Sequence, residues 1–252
     1  MGKVVYWLSD SEWARIEPLL PRGRRGAHRV DDRRVISGIV YMLRAGAPWR
    51  NCPAVYGPYT TVYNRFNRWS RQGIWLGMFE ALTGKSPVIS TASIDSTHVR
   101  AHRCAAGGKG AFEQAIAVSR GGRTSKLHAL SDAKGRPHVL MVTPGNVNDM
   151  LMAGALFAAA GPFRQLVADR GYDTNRVREL IAARGAVAVI PSTATRRPQI
   201  PHDKACYRSR NLIERMWGRL KDWRRLATRY DKLARNFLST AAIAAIIIYW
   251  IN

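Results

Sequence analysis

The stretch "SKLHALSDAKGRPHVLMVT" (Ser125–Thr143) contains two apolar runs on either side of the turn sequence "AKGR" (133–136). Apolar runs rich in β-formers, separated by a short polar turn that contains glycine, are typical of a β-hairpin. Upstream, "VISTASID" (88–95) is another β-rich run, and it ends at Asp95. This part of the chain is therefore predicted to form a β-sheet.

Downstream of the hairpin the pattern alternates between helix and strand. Asn148 or Asp149 can cap the apolar helix "NDMLMAGALFAAAG", and "FRQLVADRGYD" then reads as a short buried strand that ends at Asp169. Strand, hairpin, helix, strand, helix, strand and helix make an α/β domain with a mixed sheet. The predicted downstream elements are a helix at 148–161, a strand at 163–169, a helix at 174–184, a strand at 186–191 and a basic helix from 207.

The chain before "TGKSPV" (83–88) has a different sequence pattern, which is typical of helices. Residues 1–82 are predicted to form a small helical domain and residues 83–252 the α/β domain. The Gly/Arg-rich segment "RGRRGAHR" (22–29) has no hydrophobic pattern and is interpreted as a linker. The glycine-rich, basic segment 104–123 is interpreted as a mobile loop.

The helix predicted from Tyr59 to about Gln72 is the informative part of the N-terminal region. At about 100° per residue, its apolar side is aromatic, and its polar side carries Arg, Asn and Thr without an acid. One interpretation is an ordinary solvated surface helix. The other is the recognition helix of a helix-turn-helix, following another helix and a tight turn, in which such side chains read bases or bind phosphates. Its candidate DNA contacts are Asn64, Arg65, Arg68 and Arg71.

The charge balance points to a polyanionic partner. The 252 residues include 40 Lys and Arg against 17 Asp and Glu, a net charge of +23. A polyanion relieves the self-repulsion of such a chain, and nucleic acid gains affinity from each phosphate contact. A membrane surface is less well supported, because the cations are spread along the chain rather than gathered on one amphipathic helix.

Cysteine usage and the apolar segments favour a reducing, cytoplasmic setting. Cys52, Cys104 and Cys206 are too far apart for a zinc motif or a disulfide framework. The N-terminus has early acids and no signal-peptide core. The run "AAIAAIIIYWI" near the C-terminus is too short to span a bilayer and is predicted to be the buried half of a helix.

The acids at strand ends are candidates for chemistry, since open α/β sheets bind ligands there. Asp95 is a weak candidate for a helix cap, because "STHVRAH" continues as strand. For Asp169 a structural role in the turn "RGYD" remains open. Asp173 is interpreted as a helix N-cap, because a helical pattern follows it directly.

Glu214 belongs to an unusual stripe within "YRSRNLIERMWGRLKDWRR" (207–225). On a helix, Tyr207, Arg210, Glu214 and Lys221 fall within about 40° of one another. An ion pair between Arg210 and Glu214 explains their i, i+4 spacing, but not the Tyr and Lys on either side. The opposite, buried side is predicted to contain Leu212, Met216, Leu220 and Trp223.

The Tyr, Arg, Glu, Lys spacing resembles the hallmark around the third acid of bacterial insertion-sequence DDE transposases, in the group of the insertion-sequence-four and -five families. Further matches to the insertion-sequence-five branch run in order along nearly the whole chain. They are "YGPYTTVYNRFNRW" (56–69), "IDSTHVRAH" (94–102), "SRGGRTSKLHAL" (119–130), "TPGNVND" (143–149), "ADRGYD" (168–173) and "RRLATRYDKLARNF" (224–237).

The resemblance implies a ribonuclease H-like fold in which Asp95, Asp169 and Glu214 are the catalytic acids. These carboxylates would bind two Mg²⁺ or Mn²⁺ ions, with Asp95 as the shared ligand, because hard cations prefer oxygen ligands. Hydrolysis at the transposon end would expose a 3′-OH, which then attacks target DNA. His98 and His102 lie near Asp95 in sequence, but histidine is a poor ligand for Mg²⁺.

The resemblance also implies double-stranded DNA as the partner. The N-terminal helical region would bind the terminal inverted repeats, and a homodimer or larger assembly would join two ends in the bacterial cytoplasm, at the nucleoid. The residues expected to contact DNA near the acids are Tyr207, Arg210, Lys221, Arg215, Arg224, Arg225 and His102.

Three alternatives remain open at this stage. A catalytically silent DNA-binding regulator would be marked by loss of one of the three acids, and all three are present. A ribonuclease H-type RNA nuclease predicts neither the DNA-reading helix nor the Tyr-Arg-Glu-Lys stripe. A basic structural protein leaves the placement of the carboxylates unexplained.

Overall fold

The computed structural model of the chain describes residues 5–21, 31–84, 88–105 and 114–252. The predicted linker 22–29 lies outside these ranges, as does part of the predicted loop 104–123. The helices are α1 Asp10–Ile16, α2 Asp32–Ala45, α3 Tyr59–Arg71, α4 Ile74–Thr83, α5 Ala153–Ala160, α6 Asn175–Ala182, α7 Lys204–Tyr207, α8 Asn211–Lys221, α9 Arg224–Ala227 and α10 Ala234–Ala245. The strands are β1 Ile89–Ala101, β2 Ala117–Ser119, β3 Gly122–Ser131, β4 Pro137–Pro144, β5 Phe163–Val167, β6 Val187–Val189 and β7 Thr228–Arg229.

The strands form one mixed sheet with β1 at its centre. β1 pairs antiparallel with β3 on one side and parallel with β5 on the other, while β4 pairs with β3 and β6 with β5. The short strands β2 and β7 add to β3 and β1. The mixed sheet and the order of its long strands confirm the predicted α/β fold, which is the ribonuclease H-like arrangement.

Each face of the sheet carries its own hydrophobic core. On one face α5 and α6 cover the sheet, with Phe157 and Ile181 among the fully buried side chains. On the other face the N-terminal helices α2, α3 and α4 pack together with α8 and α10. The helical segment 1–82 therefore shares a core with the end of the chain, and its boundary as a separate domain stays a prediction.

Local capping explains where several helices begin. Ser9 and Glu12 form a capping box at α1, and the Asp31 side chain accepts a hydrogen bond from the Arg34 N–H at the start of α2. The prediction that Asp173 caps α6 is wrong, because Thr174 accepts the hydrogen bond from the Val177 N–H at that position.

Two loops differ from their predictions. The connection between α2 and α3 covers residues 46–58 and contains two 3-10 turns, Trp49–Asn51 and Ala54–Tyr56, so that α3 does not follow the tight turn of a helix-turn-helix. Within the segment 104–123, interpreted as a mobile loop, residues 117–119 instead form β2, because residues 122–124 at the start of β3 lie beyond its pairing with β4 and are open to another strand.

The apolar end of the chain is buried, as predicted. α10 continues into a short π-helical turn, Ile246–Trp250, and most of its side chains lie in the core beside α4. Among the helices of the described residues, none is long and apolar enough to cross a membrane.

Gly38 in α2 permits a close approach of Tyr56, whose side chain is fully buried. A Cβ at position 38 would lie 2.8 Å from Tyr56 Cβ and 2.9 Å from Cγ. We expect Gly38→Ala to lower the free energy of unfolding by about 1–3 kcal/mol in urea titrations, because the ring has to move in a packed core. The matched control is Gly77→Ala in α4, where a Cβ would meet nothing within 4 Å. That change should be neutral or stabilising by up to about 1 kcal/mol, and equal effects of the two variants would contradict the prediction.

Candidate active site

The register of the central strands brings two of the predicted acids together. Ser93 of β1 lies opposite Val167, the last residue of the parallel strand β5, so Asp95 in β1 and Asp169, two residues after the end of β5, are neighbours. Asp95 lies in the middle of β1, so the prediction that a strand ends at Asp95 is wrong, whereas the expectation that "STHVRAH" continues as strand is confirmed. The pairing therefore places two carboxylates side by side at the centre of the sheet.

The backbone after β5 holds Asp169 in place. Its Oδ1 accepts a hydrogen bond of 2.8 Å from the Gly171 N–H and caps the 3-10 turn Arg170–Tyr172. A Cβ at position 171 would lie only 2.9 Å from the same oxygen. A side chain at position 171 would therefore displace the Asp169 carboxylate from this position. Asp169 has the turn-forming role left open by its sequence as well as its place beside Asp95.

Helix α8 supplies the third acid by packing its apolar side on the sheet. Ile213, Met216 and Leu220 are buried in the core, whereas the side chain of Glu214 is 54% exposed. At the end of the helix, Lys221 Nζ donates to Thr97 Oγ1 at 2.6 Å and so fixes α8 to β1. Amphipathicity sets which side of the helix faces out, and contact with β1 sets where Glu214 lies.

A single guanidinium links the three carboxylates. Arg210 Nη2 lies 3.9 Å from Asp95 Oδ1 and 3.7 Å from Asp169 Oδ2, and its Nη1 forms an ion pair with Glu214. The i, i+4 ion pair considered as an alternative does exist, but as one contact of a four-residue cluster. The structure thus brings together the three acids that the sequence singled out, with Arg210 between them.

The acids of the cluster differ in their exposure to solvent. The Asp95 side chain is 17% exposed and that of Asp169 41% exposed. Burial raises the pKa of Asp95 to about 6, although the Ser96 N–H and then Arg210 act in the opposite direction. Burial lowers the pKa of the Arg210 guanidinium, but attraction to Asp95 and Glu214 outweighs this and raises it above its ordinary value. At neutral pH Asp95 is therefore mostly ionised, beside the positively charged Arg210.

Two buried aromatic residues beside the acids were not identified from the sequence. The Tyr172 hydroxyl and the Trp217 indole N–H are buried and make no hydrogen bond of ordinary geometry with the residues that the structure describes. Burial raises the pKa of Tyr172, as do Asp149, Asp95 and Asp169, and the Trp217 N–H lowers the pKa of Asp95. The available signals were the Tyr in "ADRGYD" and the position of Trp217, three residues after Glu214.

The donor set suits a hard divalent cation. Three carboxylates facing one another provide the oxygen ligands that Mg²⁺ and Mn²⁺ prefer. Within the ranges that the structure describes, no three Asp, Glu, His or Cys side chains are close enough to hold a metal ion as they stand. Arg210 occupies the position between the acids, so a cation and this guanidinium compete for the same oxygens. The chemistry of the ligands fits, provided that Arg210 moves aside.

The two histidines near Asp95 in sequence take no part in the carboxylate cluster. His98 Nε2 lies 3.1 Å from the Gly145 carbonyl oxygen. The His102 ring packs 4.9 Å from the ring of Tyr230 and its Nδ1 accepts a hydrogen bond from the Cys104 N–H.

Two of the predicted DNA contacts are buried instead. Arg65 is only 3% exposed, forms an ion pair with Asp32 and lies over the Trp69 ring. Arg225 is 6% exposed and forms an ion pair with Asp231. Both predictions are corrected, because a guanidinium packed into the interior against an aspartate does not face DNA. Of the remaining predicted contacts, Asn64, Arg68, Arg71, Arg215 and Arg224 are exposed, whereas Tyr207, His102, Arg210 and Lys221 are half-buried.

Two family models match consecutive parts of the chain. Residues 8–79 match the family described as a putative transposase of the IS4/5 family, and residues 86–250 match the transposase DDE domain. The putative transposase for insertion sequence element IS6501 of Brucella ovis is 33% identical over 127 residues, which cover 50% of this chain and 98% of that protein. The putative transposase for IS402 of Burkholderia cepacia is 32% identical over 137 residues, covering 50% of this chain and 63% of that protein.

Among solved structures, the chain resembles the piggyBac transposase in a synaptic complex with hairpin DNA. The TM-score is 0.53 at 10% sequence identity, and the match covers 96% of this chain and 71% of that one. A likeness at this level of identity concerns the fold alone.

Proposed function

Since the chain belongs to the insertion-sequence DDE transposases of the IS4/5 family, we propose that it binds the terminal inverted repeats of its element, cleaves at those ends by metal-dependent hydrolysis and joins the 3′-OH ends to target DNA. The observation that carries this proposal is the convergence of Asp95, Asp169 and Glu214 on Arg210. These acids lie on separate elements, and no structural need explains why three carboxylates share one guanidinium at the centre of the sheet.

Asp95, Asp169 and Glu214 would hold the divalent cations. When bound, Mg²⁺ or Mn²⁺ supplies Lewis-acid stabilisation of the charge that develops on the transferred phosphoryl group. Asp95 is the most buried of the three acids and would serve as a fixed ligand, whereas the more exposed Glu214 side chain would adjust to the cations.

Arg210 and Lys221 have separate roles in this proposal. Arg210 offsets the mutual repulsion of the acids until metal and DNA arrive, and then binds a phosphate through its planar fork of donors. Lys221 is held at the wall of the site by Thr97 and by the His98 carbonyl oxygen, 3.3 Å from its Nζ. Partial burial lowers the pKa of Lys221, although Asp95 acts in the opposite direction. The strand that carries the scissile phosphate passes between these two cations.

Helix α3 is the proposed reader of the transposon ends. Its exposed polar side chains include Asn64, Arg68 and Arg71, and no acid lies on the helix. The buried Arg65 instead supports the helix from behind through Asp32 of α2. The polar side chains of α3 therefore have two roles in this proposal. Arg65 is a buried structural cation, and the exposed side chains contact DNA.

We expect Arg68→Ala to weaken binding of end DNA and to reduce the slope of log K against log salt by about 0.9, the value for one lost phosphate contact. Fluorescence anisotropy at several salt concentrations measures both quantities. The matched control is Arg164→Ala, an exposed arginine at the end of β5 opposite to the one that leads to Asp169. If Arg68→Ala and Arg164→Ala change binding equally, α3 is not the reading element.

The test of the proposed function is a cleavage and joining assay with duplex DNA that carries the element's ends. In Mg²⁺ or Mn²⁺ the protein should nick at the end, leave a 3′-OH and join it to a target plasmid, and a chelator should abolish both products. Specific binding of end DNA without any cleavage in either metal would overturn the proposal in favour of a catalytically silent regulator. Because joining brings two ends together, mass photometry of the complex should show two or more protomers.

A further inference from the structure

An open cleft of about 940 Å³ lies away from the acids, between the α2–α3 connection and the region around α9 and β7. Rings form much of its lining, together with arginine. The lining includes Trp49, Tyr59, Tyr63 and Tyr230 together with Arg50 and Arg225. None of the lining residues within the described ranges is an Asp or Glu.

The wall of this cleft consists of tilted rings and a guanidinium in contact with one another. The Trp49 ring lies 5.5 Å from that of Tyr63, and the Arg225 guanidinium lies 5.0 Å from the Trp49 ring and 5.9 Å from the Tyr230 ring. Arg225 is a fixed, buried part of this wall and not a DNA contact, since it donates to the Ala47 carbonyl oxygen at 3.1 Å and forms the ion pair with Asp231. These planar groups are therefore held in place before any ligand arrives, which lowers the entropic cost of binding.

The ring surfaces that face the cleft are incompletely covered. Tyr59 is 48% exposed and Tyr63 38% exposed, although both lie on the side of α3 that the sequence predicts to be apolar. Arg50 at the rim is also exposed. Exposed aromatic faces beside the exposed Arg50, with no Asp or Glu among the described lining residues, suit a nucleotide, which has a planar base and a negatively charged phosphate.

Strand β1 extends from the acids towards the cleft. It runs from Asp95 towards His102, whose ring packs against Tyr230 at the cleft. At about 3.3 Å per residue this path is about 23 Å long, which corresponds to about seven nucleotide steps of 3.4 Å. A DNA strand with its scissile phosphate at the acids can therefore reach the cleft with a nucleotide several positions away.

We propose that this cleft binds unpaired nucleobases of the DNA, which stack on Tyr59 and Tyr63 while Arg50 contacts the adjoining phosphate. The proposal rests on the proposed function, because it takes DNA as the partner of the same site. A paired base cannot present its face to the tyrosines, so the occupant is a base that has left the duplex stack.

The first test uses metal-free binding of a fluorescein-labelled ten-nucleotide thymidine oligonucleotide and of a blunt hairpin duplex. Loss of one stacked base costs about 5- to 150-fold in affinity. We expect the double variant Tyr59→Ala, Tyr63→Ala to lose at least about tenfold in affinity for the single strand and to bind the duplex within about twofold of the unchanged protein. The double variant Tyr59→Phe, Tyr63→Phe keeps both rings and should bind both probes normally.

The second test locates the base directly. A thymidine oligonucleotide with one 5-iodouracil, irradiated in the complex, should crosslink to peptides that contain Trp49, Tyr59 or Tyr63 as mapped by mass spectrometry. Crosslinks confined to other regions, or equal losses for single strand and duplex in the alanine variant, would overturn the proposal. The proposal would also be overturned if the alanine double variant changed its oligomeric state but bound the single strand as tightly as the unchanged protein. The cleft would then bind a segment of a second copy of the chain.

The two proposals fail in different ways. Single-strand binding and crosslinking need no metal and no cleavage, so they persist if the cleavage proposal is wrong. If instead the cleft does not bind bases, end DNA is still cut, and only the tyrosine-dependent difference between single strand and duplex is missing.

Discussion

Replacing Asp95 by Asn is expected to reduce cleavage at the transposon ends by about 10³-fold or more while leaving affinity for end DNA nearly unchanged. Asn has the size of Asp but lacks the anionic oxygen that a hard cation requires. Asp95 is the most buried acid of the cluster. The two neighbouring carboxylates, Asp169 and Glu214, are proposed as ligands in their own right, so neither is available to replace it. Single-turnover cleavage of labelled end DNA in Mg²⁺ measures the effect.

Companion variants separate chemistry from binding and from folding. Asp169→Asn and Glu214→Gln should lose cleavage in the same way, whereas Asp222→Asn, an exposed acid just beyond α8, should cut normally. Cleavage by Asp95→Asn at an undiminished rate would show that the catalytic assignment is wrong. The Asp95→Asn variant is not expected to lose activity by unfolding. The raised pKa of Asp95 means that its negative charge lowers the stability of the native state, and Asn removes that charge.

The sign follows from burial. The native pKa of Asp95, about 6, lies above the ordinary value of 3.8, so ionisation of this residue destabilises the fold as the pH rises through that interval. At neutral pH the neutral Asn side chain avoids this cost. Without metal, Asp95→Asn should therefore unfold at an equal or higher urea concentration than the unchanged protein.

The second large effect is expected at Asp173, where replacement by Asn should lower the free energy of unfolding by about 3–5 kcal/mol at neutral pH. The carboxylate is fully buried and accepts hydrogen bonds from Arg178 Nε at 2.7 Å, Arg196 Nε at 2.8 Å and the Thr193 N–H at 2.7 Å. It thereby ties α6 to the segment after β6. Asn leaves two partly buried guanidinium groups without their anion.

The pH dependence of this effect distinguishes a lost ion pair from a packing defect. Burial alone would raise the pKa of Asp173, but the Thr193 N–H and then Arg196 and Arg178 outweigh it and lower the pKa to about 2. The stabilisation is therefore present above the ordinary pKa of 3.8 and is lost as the pH falls towards 2. Urea titrations at pH 7 and pH 3 should show the gap between the two proteins narrowing in acid.

The control for Asp173 is Asp203→Asn, which alters an exposed acid that caps α7. Asn also caps helices, so this variant should change stability by less than about 1 kcal/mol. A gap between Asp173→Asn and the unchanged protein that is small at pH 7, or equally large at pH 7 and pH 3, would contradict the ion-pair explanation.

Much of the fold could be predicted because its signals are local. The hairpin, the alternation after it and the amphipathic α8 depend on periodicities of two and 3.6 residues, which any window of the chain displays. The Tyr-Arg-Glu-Lys stripe could be predicted for the same reason, since it is a property of one nearly continuous helical path. β2 escaped prediction because a three-residue strand has no detectable period and exists only through its pairing with β3.

The sequence by itself determined the order of the elements, the three acids and the side of α8 on which Glu214 lies, since each depends on residues close together along the chain. Only the tertiary structure decided which charges are buried. Arg65 and Arg225 have the same chemistry as their exposed neighbours, and their partners Asp32 and Asp231 become significant only once the surrounding core excludes water. The approach of Arg210 to all three carboxylates, and the cleft that joins Tyr59 to Tyr230, depend likewise on contacts between elements that are distant in sequence.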